Sequence, residues 1–148
     1  MKEMTYKRVE EMLNEYKIAK MMSFKAHMRL EELKLDQRYP KAIEYSDMPK
    51  AAIKDKDLSD YMVKLEEAKL EIKSRWQQET QAYMNVLKII DTLPITTLDD
   101  QRERYILKMR YLNLYSWSEV CKRLNYSRIH ADRLRRRAIY RLSQENWK

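Results

Sequence analysis

A chain of 148 residues with three prolines and no glycine points to one or two small helical domains, because tight turns, bulges and phosphate-cradling loops all draw on glycine for positive φ. The same composition excludes the glycine-rich nucleotide-binding loops. One cysteine and two histidines exclude an internal disulfide and leave too few ligands for a cysteine-based zinc site.

The N-terminus, Met1-Lys2-Glu3-Met4-Thr5-Tyr6-Lys7, is polar and charged, unlike a secretory signal. No apolar run approaches the length that spans a bilayer. The expectation is an intracellular protein with no membrane contact.

The first predicted element is a long amphipathic helix over residues 5–36. Thr5 is its N-cap, and Met12, Tyr16, Ala19, Met22, Ala26, Leu30 and Leu33 recur at spacings of three and four. Arg38-Tyr39-Pro40 ends it, since the residue before proline avoids helical geometry. Residues 41–56 read as a connector, with turn chemistry at Tyr45-Ser46-Asp47-Met48-Pro49.

A second long helix is predicted over residues 57–91. Its seam reads Leu58, Met62, Leu65, Lys69, Ile72, Trp76, Glu79, Tyr83, Val86 and Ile90, steps of four and three as in a coiled coil. The two helices are expected to fold back as an antiparallel, coiled-coil-like hairpin over residues 1–92. A two-helix hairpin has a thin core, so a homo-oligomer through these helices, or docking of the hairpin on the C-terminal domain, is expected. The ten methionines suit adaptable helix packing. Adjacent acids such as Glu10-Glu11, Glu31-Glu32 and Glu66-Glu67 project about 100° apart on a helix and make no catalytic dyad. No nucleophile–base–orienter set stands out, so neither an enzyme nor a cofactor or metal site is expected.

Leu93-Pro94 breaks the second helix and opens a second domain, residues 93–148. Thr97-Leu98-Asp99-Asp100 reads as a capped helix start with acids at the positive end of the dipole. This helix is expected to run to Leu112 with Tyr105, Ile106, Met109 and Leu112 inward.

All the excess charge lies in this end of the chain. Residues 1–100 hold 18 Lys and Arg against 19 Asp and Glu, net −1, and residues 101–148 hold 13 against 4, net +9. Such a concentration favours a polyanion, with double-stranded DNA the first candidate.

The segment Ser116–Leu142 carries the most specific pattern. Ser116 followed by Glu119 is a capping box. The helix it opens turns Val120 and Leu124 inward around the small Cys121. Asn125 falls where a left-handed residue would close that helix, Tyr126 is placed to fill space beneath the turn, and Ser127 caps the next helix. In that helix Ala131, Leu134, Ala138 and Leu142 form one inward stripe. The opposite face carries Ile129, Asp132, Arg133 and Arg136, with Arg128 at its N-terminal edge. A DNA recognition helix is built this way, with base-contacting residues near its N-terminus. Arginine pairs with guanine through two hydrogen bonds, and an aspartate accepts from cytosine or orients an arginine. Arg135, Arg136, Arg137 and Arg141 extend the positive field toward phosphates. The predicted fold is therefore all-α: a helical hairpin followed by a helix-turn-helix.

Leu112–Leu142 resembles the C-terminal, region 4, helix-turn-helix of bacterial sigma factors. The resemblance is carried by Met109-Arg110-Tyr111, by the helix Trp117–Leu124, and by Ser127-Arg128 with Leu134 and Arg137-Ala138. It runs without gaps across both helices. Three departures stand beside it: Ala131 replaces the usual Val or Ile, the run Arg135–Arg137 is heavier, and no second promoter-reading region precedes it. The whole layout is similar to small phage late regulators of the ArpU and RinA type. The resemblance implies base reading at Arg128, Ile129, Asp132 and Arg133. It implies phosphate contacts at Arg110, Ser116, Ser118 and Lys122, which Ser127, Arg135 and Arg137 would extend. It further implies a sequence-specific transcription regulator, a phage or prophage late-gene activator. Such a protein would work at promoters with host RNA polymerase, in the bacterial cytoplasm at the nucleoid. The competing expectations are a DNA-packaging protein of the small-terminase kind and a polymerase-binding adaptor with little DNA specificity.

Overall fold

The computed structural model describes residues 5–38 and 55–144. Most of the expected connector, residues 41–54, lies outside them. Among the described residues the fold is all-helical: α1 (Tyr6–Leu13), α2 (Glu15–Arg38), α3 (Asp55–Asp91), α4 (Leu98–Leu107) running into a π turn (Lys108–Leu112), α5 (Trp117–Leu124) and α6 (Arg128–Gln144). No described helix is long and apolar enough to cross a membrane.

The single N-terminal helix expected over residues 5–36 is two helices. Thr5 is the cap, accepting from the Arg8 N–H at 3.2 Å. The break is Asn14, whose side-chain amide donates to the Glu10 carbonyl at 3.0 Å and so competes with the backbone for a helical acceptor. Val9 and Leu13 of α1, neither of them in the expected stripe, are fully buried.

The chain forms two compact units, and they do not divide after residue 92. One unit joins residues 1–19 to 79–148, and the other is residues 20–78. The first has a core drawn from both ends of the chain. Val9, Leu13 and Tyr16 meet Ala82, Val86, Ile89, Ile90 and Leu93 of the end of α3, and with them Leu107, Tyr111, Leu112, Ala138, Ile139 and Leu142. Each large side chain buried here contributes about 1.5–3 kcal/mol, so α1 is a structural part of the basic C-terminal unit. In the second unit α2 and α3 meet, with Arg29 donating to Glu71 at 2.7 Å.

The seam of α3 keeps its coiled-coil repeat but is turned by one residue on alternate layers. Leu65, Ile72, Glu79 and Val86 face inward as expected, accompanied by Tyr61, Ala68, Arg75 and Ala82, while Met62, Trp76 and Tyr83 are exposed. The small Ala68 and Ala82 take the buried positions, and the bulkier Met62, Trp76 and Tyr83 lie exposed beside them.

Thr97 caps α4 through a complete capping box: the Asp100 N–H donates to Thr97 Oγ1 at 3.1 Å, and the Thr97 N–H to Asp100 Oδ2 at 3.1 Å. Regular α geometry ends at Leu107, five residues before the expected end at Leu112. The following π turn has its closing bonds at Asn113 N–H to Lys108 O, 2.9 Å, and Tyr115 N–H to Met109 O, 3.0 Å. Ile106, Met109 and Leu112 are buried as expected. Tyr105 is exposed because Asp100, Glu103, Ile106 and Leu107 set the buried stripe of α4 and Tyr105 lies on its far side, while the wider turn after Leu107 brings Tyr111 to the core. Without glycine, the two left-handed positions among the described residues fall to Leu114 (φ 58°) and Asn125 (φ 56°).

Candidate nucleic-acid interface

Helices α5 and α6 are joined by Asn125, Tyr126 and Ser127. Asn125 adopts φ 56°, ψ 44°. Its N–H donates to Lys122 O at 3.4 Å and the Tyr126 N–H to Cys121 O at 3.0 Å, the paired bonds of a Schellman C-cap. Ser127 then opens α6, accepting from the His130 N–H at 3.2 Å. Tyr126 is half-buried, its ring edge-on to His130 at 4.5 Å. Cys121 is half-buried in α5, and Val120 is fully buried.

At the start of α5 the expected capping box is half made. Ser116 Oγ accepts from the Glu119 N–H at 3.2 Å, but the Glu119 carboxylate turns to Arg123, 2.9 Å away. A charged i,i+4 partner outcompetes a backbone N–H for a solvent-facing acid.

Ala131, Leu134, Ala138 and Leu142 of α6 are buried as the stripe predicted, joined by Ile139. At 100° per residue, Ile129, Asp132, Arg133, Arg136 and Tyr140 share the opposite face. Ile129 is 75% exposed, the Arg136 side chain 71%, and Arg133 is exposed. Asp132 is half-buried and lies 3.0 Å from Arg136 Nε and 3.7 Å from Arg135. It therefore holds the Arg136 guanidinium in place along this face.

Arg128 is stacked over the indole of Trp117, 4.6 Å from the ring centre, and Arg110 approaches the same ring at 5.2 Å. Arg110 also donates to the Tyr115 carbonyl at 2.9 Å. Trp117 thus gathers the ends of three elements: the π turn, the start of α5 and the start of α6. Arginine over indole is the strongest common cation–π pairing, and it holds these cations in place beside the start of α6. The role of Trp117 has no periodic signature, since the three residues are separated by loops. Ser116 is exposed at the cap of α5, Ser118 and Lys122 on α5 itself, and Ser127 at the turn.

The arginine run splits in three directions, as 100° steps require. Arg136 faces solvent. Arg135 points back to α1, donating to Glu10 at 2.6 Å and to the Tyr111 hydroxyl at 3.0 Å. Burial works against its charge, but the hydrogen bond to Tyr111 and the nearby Glu10 more than offset this and hold it firmly protonated. Arg137 Nε lies 3.2 Å from Oε1 of the fully buried Glu103, though misaligned for a hydrogen bond. Arg141 donates to Glu103 Oε2 at 2.9 Å and to Asp100. Its bond to Arg141, with those to Thr97 and Thr96, holds the Asp100 carboxyl well below the usual range. Burial pushes Glu103 up despite Arg141 and Arg137. Arg135, Arg137 and Arg141, expected to face phosphates, are therefore engaged by carboxylates of the protein itself.

No family model, curated protein or solved structure matches the chain.

Proposed function

We propose that α5 and α6 are a helix-turn-helix that sets α6 in the DNA major groove, and that the protein is a sequence-specific transcription regulator. The observation that carries this is the division of α6 into two faces. One is apolar and buried; the other presents Ile129, Arg133 and Arg136 to solvent, with Arg128 at its N-terminal edge. Base-reading residues of recognition helices sit at such positions.

In this reading Arg133 and Arg136 take guanine edges, with Asp132 orienting Arg136. Ile129 packs on a thymine methyl. Arg128 and Arg110, gathered at Trp117, neutralise backbone phosphates, as do Ser116, Ser118, Lys122 and Ser127. Arg128 was expected to read bases, and its stacking beside Arg110 favours the phosphate role. The hairpin of α2 and α3 is then the interaction module. The likeness of Leu112–Leu142 to sigma factors supports promoters as the target, RNA polymerase as a second partner, and a phage late-gene setting at the bacterial nucleoid.

The test is selection of duplexes from a random DNA pool by the full chain at about 150 mM salt, where non-specific phosphate binding is weak. One motif is expected. Arg133→Ala should relax it at a single position, by a factor corresponding to ~1–3 kcal/mol, with overall binding retained. Recovery of no motif would refute base reading and favour a polymerase adaptor.

A further inference from the structure

The unit formed by residues 20–78 is inverted in its use of apolar residues. Among its described residues the buried positions are Ser23, Ala26 and Ala68, while large apolar side chains of α2 face outward: Met21 is 52% exposed, Phe24 65%, Met28 45% and Leu35 50%. These four are not scattered. At 100° per residue they fall within an arc of about 60°, on the side of α2 opposite Ala26, Leu30 and Leu33. Their spacing of three, four and seven is that of a coiled-coil seam, with Glu31 at the one polar layer. Together they expose on the order of 400 Å², within the range of the largest apolar patch a monomer carries, a patch that is often functional.

We infer that this stripe is a self-association seam whose occupant is α2 of a second copy of the chain, packed antiparallel. The charges beside the stripe select both partner and direction. Lys25 and Glu32 stand seven residues apart on the same flank, and neither makes an ion pair with another described residue. Two α2 helices related by a two-fold axis near Met28 bring Lys25 of each copy beside Glu32 of the other, so the pair forms twice. A parallel arrangement would set Lys20 of one copy against Lys25 of the other, which is repulsive. The seam lies on the hairpin and stands whether or not α6 reads DNA.

Sedimentation equilibrium on the full chain tests this. The expected mass is twice the 18.2 kDa of one chain at micromolar concentration. Phe24→Glu with Met28→Glu should return it to one chain, with helical content unchanged because both positions face solvent in the isolated fold. Should that variant lose its helicity, a charge cycle decides. Lys25→Glu and Glu32→Lys should each weaken association at least tenfold at low salt, and the double reversal should restore it. A wild-type chain that stays at 18.2 kDa, or a dimer that survives folded Phe24→Glu with Met28→Glu, overturns the seam. Single reversals without effect, or a double reversal that fails to restore association, overturn the antiparallel pairing.

Discussion

Arg135 separates a DNA contact from a structural one, because its neighbours in the chain face elsewhere. Replacing it with alanine removes a 2.6 Å ion pair to Glu10, with side chains 21% and 31% exposed, and the 3.0 Å bond to Tyr111. Hydrogen bonds to a charged group contribute about 1.5–3 kcal/mol, and partial solvent access reduces the ion-pair share. A loss of about 2 kcal/mol follows, or roughly 4–8 °C in Tm for a chain of this size. Thermal unfolding followed by circular dichroism measures it. In a double-mutant cycle with Glu10→Ala, the two changes should couple by about 1 kcal/mol. DNA affinity of Arg135→Ala, taken well below its Tm, should show an unchanged salt dependence. An unchanged Tm, with a salt slope shallower by about one, would refute the structural assignment and put Arg135 on a phosphate.

The two buried acids of α4 predict opposite pH behaviour. Asp100 is held below its ordinary value, so its ionisation stabilises the fold above pH 3.8, and this is lost as pH falls further. Asp100→Asn should therefore be destabilised at pH 7, with the deficit shrinking in acid. Glu103 is pushed above 4.5, so its ionisation on raising the pH works against folding. Glu103→Gln should gain stability relative to wild type between acid and pH 7, and denaturant titrations at pH 3.5 and 7 check both signs. At Asn125 the left-handed backbone predicts a loss of about 1 kcal/mol for alanine and near-neutrality for glycine, read by urea unfolding.

What the sequence disclosed well is what depends on neighbours along the chain. The Ser116 and Ser127 caps, the left-handed Asn125 and the inward stripe of α6 all follow from local rules, and each is found where those rules place it. What it disclosed poorly depends on partners far away. Nothing local to Arg135 distinguishes it from Arg136; Glu10, 125 residues earlier, does. Hydrophobicity favoured Met62, Trp76 and Tyr83 for the seam of α3, whereas the small Ala68 and Ala82 are the residues buried there. Tyr111 was missed for a third reason: the π turn after Leu107 shifts the helical phase, and periodicity extrapolated through it cannot register the shift.

The contact between Glu10 and Arg135 has a consequence for synthesis. At about 5–20 residues per second, α1 leaves the ribosome roughly 6–25 s before the surface of α6 that it covers. During that interval Val9 and Leu13 lack the α6 share of their core, Ala138, Ile139 and Leu142. An abrupt stop anywhere in α6 would therefore leave α1 under-packed as well as α6. Translation through Leu142 is thus what completes the core around Val9 and Leu13, and with it the mounting of Arg135 on Glu10.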